Sequence, residues 1–485
     1  MNKIITVYQD KTAEYSSKDT LFRPDTQYPE YPFAKDISYK KNRVYYMVRE
    51  AFHLAGYDLE NYGTPDWNPL GEYIKKDNIV LLKPNLVMNV NGSGDSVDCL
   101  YTQPDIVAAV IDYVIIALKG SGTIVIGDAP MQECQFENLI TESGYLNLLH
   151  YYQSKGIDIS LVDFRELCSY KKNGVYHNIV NKNTKGTIID LKNESEFAVY
   201  DKKHLEKLRI TNYDPTILQK HHSPGKHEYY VSDYVLNADI IINLPKPKSH
   251  RKAGVTISLK NMVGINVRKE YLPHHCNGAY KSGGDEYYNK SIFKKIETQL
   301  LDIINYTSAN RHYTIARFFK LIKKINSQII KLNSEKYREG SWYGNRTISK
   351  TIADLNKIIL YADKNGKICD TKQRKLLIIA DLIISGEKEG PVFPTRKKVG
   401  IVAVGDDPVC FDEVIATLMG MDINKIPTLY QARNIAGKKS LIEKNSKALI
   451  RSNNNKWNEK YVNEINSEDT LHFIPSSGWI GHIEL

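Results

Sequence analysis

The chain has 485 residues, 42% hydrophobic and 25% charged, with 66 Lys and Arg against 56 Asp and Glu for a formal net charge of +10. That length is enough for a substantial core and is long for one domain, and the composition excludes a disordered or fibrous chain. The modest positive balance permits an acidic substrate or an anionic membrane surface without calling for nucleic acid, and no apolar run approaches the ~18 residues of a membrane span.

The six cysteines, at positions 99, 134, 168, 276, 369 and 410, form no Cys-x-x-Cys pair. No iron–sulphur cluster and no zinc ribbon is therefore expected within this chain. The opening stretch, Met1 to Asp10, reads as a first strand rather than a signal peptide, because its apolar run is short and soon turns polar. The expectation is a reduced, cytoplasmic protein.

Residues 11–41 are polar and proline-rich, the pattern of an irregular arm. Residues 42–56 have helical periodicity and stop at Gly56, a natural C-cap. Asn78 to Val87 predicts a second strand whose end delivers Lys83 and Asn85 across Pro84. A loop rich in Gly, Asn and Asp leads to Thr102-Gln-Pro-Asp105, which predicts an N-cap at Thr102 and a helix to Gly120. That helix start could hold an anion on its backbone N–H groups, but no Gly-Lys-Ser/Thr follows, and a plain crossover is the simpler reading. Gly122 to Asp128 is a third strand, followed by a helix over 135–155 and a strand over 158–164. This βαβαβ series implies a largely parallel sheet covered on both faces.

Residues 165–230 alternate short strand-like pieces with loops. His221, His222 and His227 there could bind a metal, although a surface loop is the simpler reading. The strongest signal runs from Ala238 to Gly264. An apolar run, Ile240 to Leu244, discharges into Pro245-Lys-Pro-Lys-Ser-His250. The prolines favour extended backbone, so Lys246, Lys248 and His250 project to one side at period-2 spacing. Such a comb meets either water or an anion, because a core does not tolerate unpaired cations. Val255 to Asn261 fits a strand or the opening of a helix, and both keep Lys260 and Asn261 beside the comb. His274 and His275, near Cys276, Asp285 and Glu286, suit acid–base work or metal ligation.

From Ser291 to Arg338 the pattern is helical, with Ile315, Phe318, Phe319, Ile322, Ile329 and Ile330 on one face and Arg317, Lys320, Lys323, Lys324 and Lys331 elsewhere. The apolar face is expected to pack on the rest of the fold; the second reading is peripheral contact of 311–333 with an anionic membrane surface. Another helix follows through Ile352, Leu355 and Ile359. Lys375 to Ile384 is a strand with Asp381 inside it, where an acid must be paired or bind something. Val399 to Val404 leads to Asp407 as N-cap and Pro408 at N1, with Asp412 one turn inside that helix.

The expected fold class is α/β, a mostly parallel central sheet with helices on both faces and with β-rich and long-helix insertions. Five segments are expected: an N-terminal α/β half (1–164), a β-rich insertion (165–230), a central site-bearing segment (231–288), a helical insertion (289–365) and a C-terminal α/β half (366–485). Ligands of such sheets sit beyond the carboxyl ends of the strands. The expected catalytic residues are His250, His275, Lys246 and Lys260, with Lys83, Asn85, Lys248 and Asn261 binding substrate. Asp128, Asp381, Asp412 and His274 are the candidates to hold a divalent metal. The expected partner is an anionic small molecule or a lipid-linked substrate.

Taken in order, Leu82-Lys-Pro-Asn-Leu86, Gly127-Asp-Ala-Pro130, Asn243 to His250, Gly254 to Gly264, Leu272-Pro-His-His275, Gly283-Gly-Asp-Glu286 and Gly405 to Asp412 resemble the DUF362 family, a bacterial and archaeal domain of unknown function. Some members carry a fused ferredoxin-like iron–sulphur module, and this chain resembles a long form without it. The site residues point to an enzyme acting on a phosphorylated or carboxylated substrate; the resemblance implies, as an alternative, a redox or cofactor-binding protein related to the iron–sulphur-fused members, and a non-catalytic membrane-surface scaffold is the remaining reading. Long forms are similar to proteins encoded among bacterial surface-polysaccharide genes, which implies a biosynthetic setting.

Overall fold

The computed structural model describes residues 2–332 and 337–485, so residues 333–336 of the long helical stretch, and the side chains of Lys331 and Leu332, lie outside the described residues. Eleven strands make the central sheet: β1 (Asn2–Gln9), β2 (Ile79–Pro84), β3 (Thr123–Asp128), β4 (Ile159–Asp163), β5 (Ile240–Leu244), β6 (Lys248–His250), β7 (Gly254–Thr256), β8 (Lys375–Glu389), β9 (Phe393–Gly405), β10 (Lys447–Ser452) and β11 (Lys460–Tyr461). Their order is β11-β10-β1-β9-β8-β5-β2-β3-β4, with β6 set against β8 and β7 against β6. From β8 to β4 every neighbour is parallel, whereas β8–β9 and β9–β1 are antiparallel. Strands from the N-terminal, central and C-terminal segments thus share one α/β sheet.

The apolar runs are continuous because each strand feeds two cores. Leu81, Val125, Ile241, Ile378 and Ile401 point into one, and Val80, Leu82, Ile124, Ile242, Ile379 and Val402 into the other. Helices α1 (Arg43–Ala55) and α2 (Pro104–Leu118) close the second face. A helical hairpin, α3 (Ile292–Ala309) and α4 (Tyr313–Leu332), is inserted next. Helices α5 (Thr347–Tyr361) and α6 (Pro408–Leu418) close the first face.

Local departures from the expected pattern have physical reasons. The helix over 135–155 is two helices, Phe136–Ser143 and Tyr145–Ser154, parted at Gly144 in the left-handed region at φ +93. Thr102 does not cap α2; Gln103 occupies the cap without a side-chain bond. The Thr102 hydroxyl instead donates to the Leu244 carbonyl at 2.6 Å and accepts from the Asn85 N–H at 3.0 Å, tying β2 to β5. Val255 to Asn261 is both a strand and a helix in succession, β7 and then Ser258–Asn261. His222 and His227 belong to paired strands with buried rings rather than to a surface loop. Alternation along Lys226–Ser232 turns His227, Tyr229 and Val231 inward, and His222 Nε2 lies 2.8 Å from the Tyr271 carbonyl oxygen. The apolar row of α4 divides: Ile330 is buried with Ala316 and Asn326 on the inner face and Phe319 and Ile322 are half-buried, whereas Ile315, Phe318 and Ile329 are exposed, against the packing expectation. Among the described residues no helix is long and apolar enough to cross a membrane.

Candidate functional site

Parallel alignment of β2, β5 and β8 sets Lys83, Asn243 and Ile378 side by side; β2 and β5 end one residue later, at Pro84 and Leu244, while β8 runs on to Glu389. Lys83 Nζ lies 2.6 Å from Asp128 Oδ1 at the end of β3, and both side chains are buried. Asp128 also accepts from the N–H groups of Leu86 (2.7 Å) and Ala129 (2.9 Å). Only glycine fits opposite them: a Cβ on Gly264 would stand 1.9 Å from Asp128 Oδ1 and 2.8 Å from Lys83 Nζ. Val87, just past β2, has φ +29, a left-handed conformation that is costly for a β-branched residue.

A second ion pair lies at the start of the comb. Lys246 Nζ is 3.0 Å from Asp381 Oδ2 and donates to the Tyr15 hydroxyl at 2.5 Å, and that hydroxyl donates to Asp381 Oδ1 at 2.6 Å. Gln103 N–H supplies Asp381 with a further bond at 2.9 Å. The acid inside β8 is therefore paired, as burial requires.

Asp412, reaching across from α6, caps the helix Ser258–Asn261. It accepts from the N–H groups of Ser258 (2.8 Å) and Leu259 (3.1 Å) and from the Ser258 hydroxyl. Burial pushes its carboxyl up to about 7. Asn261 donates to Asn243 Oδ1 at 2.8 Å and to the Lys83 carbonyl at 3.1 Å, locking the same short helix to β5 and β2.

That scaffold presents lysines that no acid among the described residues pairs with. Lys248 donates to Asn85 Oδ1 (2.7 Å) and the Leu100 carbonyl (2.6 Å), Lys252 to Thr211 Oγ1 (2.9 Å) and Lys269 to the Ala129 carbonyl (2.7 Å). Among the described residues Lys260 has neither a hydrogen-bond partner nor an ion pair. Burial drives Lys248 and Lys260 down to about 7, and Lys252 and Lys269 to about 8. Neighbouring charges add to the effect: Lys246 on Lys248, and Lys269, Lys252 and Lys83 on Lys260. Asn85, Lys260, Gly264, Lys269 and His274 are partly exposed, so the cluster opens to solvent along this rim.

Two histidines border it in opposite tautomers. His250 Nδ1 accepts from the N–H groups of Lys252 (3.0 Å) and Ala253 (3.1 Å), which leaves its proton on Nε2. His274 Nδ1 lies 2.8 Å from the Leu272 carbonyl oxygen and donates to it, which leaves Nε2 with a free lone pair. Burial, then the charge of Lys260 on His250 and of Lys252 and Lys260 on His274, keeps both rings neutral.

Over residues 80–172 and 169–417 the chain matches the domain of unknown function DUF362. The chain belongs to the DUF362 family. A thylakoid-associated protein of Synechocystis is 27% identical over 195 residues, which is 40% of this chain and 41% of that protein. The chain thus spans less than half the length of that relative. No solved structure matches.

Within this DUF362 chain the expected residues separate into three environments. Lys83 with Asp128 and Lys246 with Asp381 are internally paired, and Asn261 and Asp412 hold the scaffold. Lys248, Lys260, His250 and His274 converge with Asn85 on the unneutralised cluster. His275 turns the other way, its ring buried beside the strand Leu208–Arg209 and its Nδ1 without a bond. The three aspartates considered as metal ligands stand in separate networks, and among the described residues no three His, Cys, Asp or Glu side chains gather as a ligand set. Lys252, Lys269 and Tyr15 were not anticipated. Lys252 continues the period-2 series of 246, 248 and 250 and was open to detection; Tyr15, in an irregular arm, gave no signal. A cavity of about 570 Å³ elsewhere is bordered by Arg251, Lys294, Glu286, Glu297, Glu339 and Glu389, where acids offset bases.

Proposed function

We propose that this DUF362 protein is an enzyme that takes a small substrate bearing a phosphate or carboxylate into the lysine-lined mouth beyond β2, β3 and β5, and moves a proton on it. Lys260 carries the reading. Its ammonium is unpartnered among the described residues, partly open to solvent and pressed by the charges of Lys269, Lys252 and Lys83. A ligand anion supplies the counter-charge that the protein withholds. Lys248, held by Asn85, adds a second cation, and the ion-paired Lys83 and Lys246 fix the backbone around them. His250 offers an Nε2–H to donate and His274 an Nε2 lone pair to accept, the two roles that acid–base chemistry requires. A lipid-linked anion has the same chemistry as a soluble one, and the thylakoid association in the name of the Synechocystis relative supports testing both.

Calorimetric titration with inorganic phosphate, pyrophosphate and citrate at about pH 8, where Lys248 and Lys260 are largely unprotonated, tests the reading. Binding is expected with proton uptake, because an anion raises the depressed lysines, and Lys260→Met should abolish it with the fold intact. If none of these anions binds, or if Lys260→Met binds them as the parent does, the reading falls.

A further inference from the structure

We infer that the outer face of α4 is a docking surface for an anionic lipid bilayer. The helix is amphipathic in the inverted sense. Ile315, Phe318, Leu321, Ile325 and Ile329 are 47, 61, 60, 60 and 37% exposed, and their spacing of three and four residues makes one continuous stripe. The inner face combines buried Ala316 and Ile330 with the polar contacts of the helix. Asn326 donates to the Phe293 carbonyl at 2.9 Å, Ser327 to Glu297 Oε1 at 2.9 Å, and Lys320 to the Gly174 carbonyl, while Tyr313 stacks on His177 at 3.8 Å between ring centres. The helix is thus anchored by its polar side to α3 and to the hairpin of strands Leu167–Lys172 and Val175–Val180, and it offers its apolar side outward.

Charge selects the occupant. The segment Tyr313–Leu332 contains five basic residues and no Asp or Glu. Helical spacing puts the exposed Arg317 and Lys324 along one border of the stripe, where their stems can lie on acyl chains and their heads reach phosphates. A second copy docked on the same face would set cation against cation with no acid on either helix to answer it. An anionic headgroup layer answers both features at once.

The test is flotation of the full chain with phosphatidylcholine vesicles, with and without about one-third phosphatidylglycerol. Flotation is expected with the anionic vesicles, weakening at high salt. Phe318→Ser combined with Ile325→Ser should cut the bound fraction by about tenfold, and Arg317→Gln combined with Lys324→Gln should remove the preference for anionic lipid. All four positions are exposed, so an unchanged melting temperature and unchanged phosphate titration should accompany these losses and separate this surface from the lysine-lined mouth. The inference is overturned if the parent chain stays with the unbound fraction or the Ser variant floats equally well. It is also overturned if sedimentation velocity finds a parent dimer that the Ser substitutions dissolve.

Discussion

The Lys246 ammonium lies 3.0 Å from the Asp381 carboxylate, both wholly buried, and the Tyr15 hydroxyl bonds to both partners. A buried pair of this kind adds little net stability, but either half left alone is a naked charge in the core. Asp381→Asn should therefore cost about 3–5 kcal/mol in urea unfolding. Replacing both partners with Lys246→Met and Asp381→Leu should cost much less than the single change. Equal losses from the single and the double variant would show that the pair is not an isolated unit.

Gly264 faces the other buried pair, and a Cβ there would enter the space of Asp128 Oδ1 at 1.9 Å. Gly264→Ala should lower stability by about 1–3 kcal/mol through overpacking, read as a drop in thermal midpoint. It should also weaken phosphate binding, because displaced Lys83 and Asp128 no longer anchor the ends of β2 and β3. A variant with an unchanged midpoint would mean that the ion pair can move aside.

The depressed lysines make a pH prediction with a definite sign. Lys248 and Lys260 titrate near 7 and Lys252 and Lys269 near 8, all below an ordinary lysine at 10.5. Between about pH 7 and about pH 8.5 the unfolded chain binds protons that the folded chain has released, so stability rises with pH across that window. Lys248→Met combined with Lys260→Met should flatten the rise and stabilise the protein at its acid end, and saturating phosphate should flatten it in the parent. The comparison with the variant isolates the lysines from Asp105, Asp112 and Asp412, which burial holds near 7 and which act below that pH. Parallel urea-midpoint curves for parent and variant would contradict the assignment.

Asp412 governs Lys260 at one remove, by capping the helix that carries it. Asp412→Ala should cost about 2–3 kcal/mol, since three donors lose their acceptor, and should take phosphate binding with it. Asp412→Asn keeps one acceptor oxygen and should fall between. Phosphate affinity that survives Asp412→Ala would separate the cap from the site.

Much of this was legible before any coordinates. The apolar runs beginning at Ile79, Thr123, Ile240, Lys375 and Val399 lie in strands of one sheet, and the proline-spaced comb after Ile240 does place Lys248 and His250 at their ends, because residue periodicity and proline's fixed φ are properties of the chain itself. What tertiary structure alone decided is pairing and direction. That Asp128 answers Lys83 and Asp381 answers Lys246, while Lys248 and Lys260 remain unanswered, depends on distances between segments remote in sequence. Periodicity likewise reveals that α4 has an apolar stripe but not which way it faces, since direction depends on what the opposite side of the helix finds to bond.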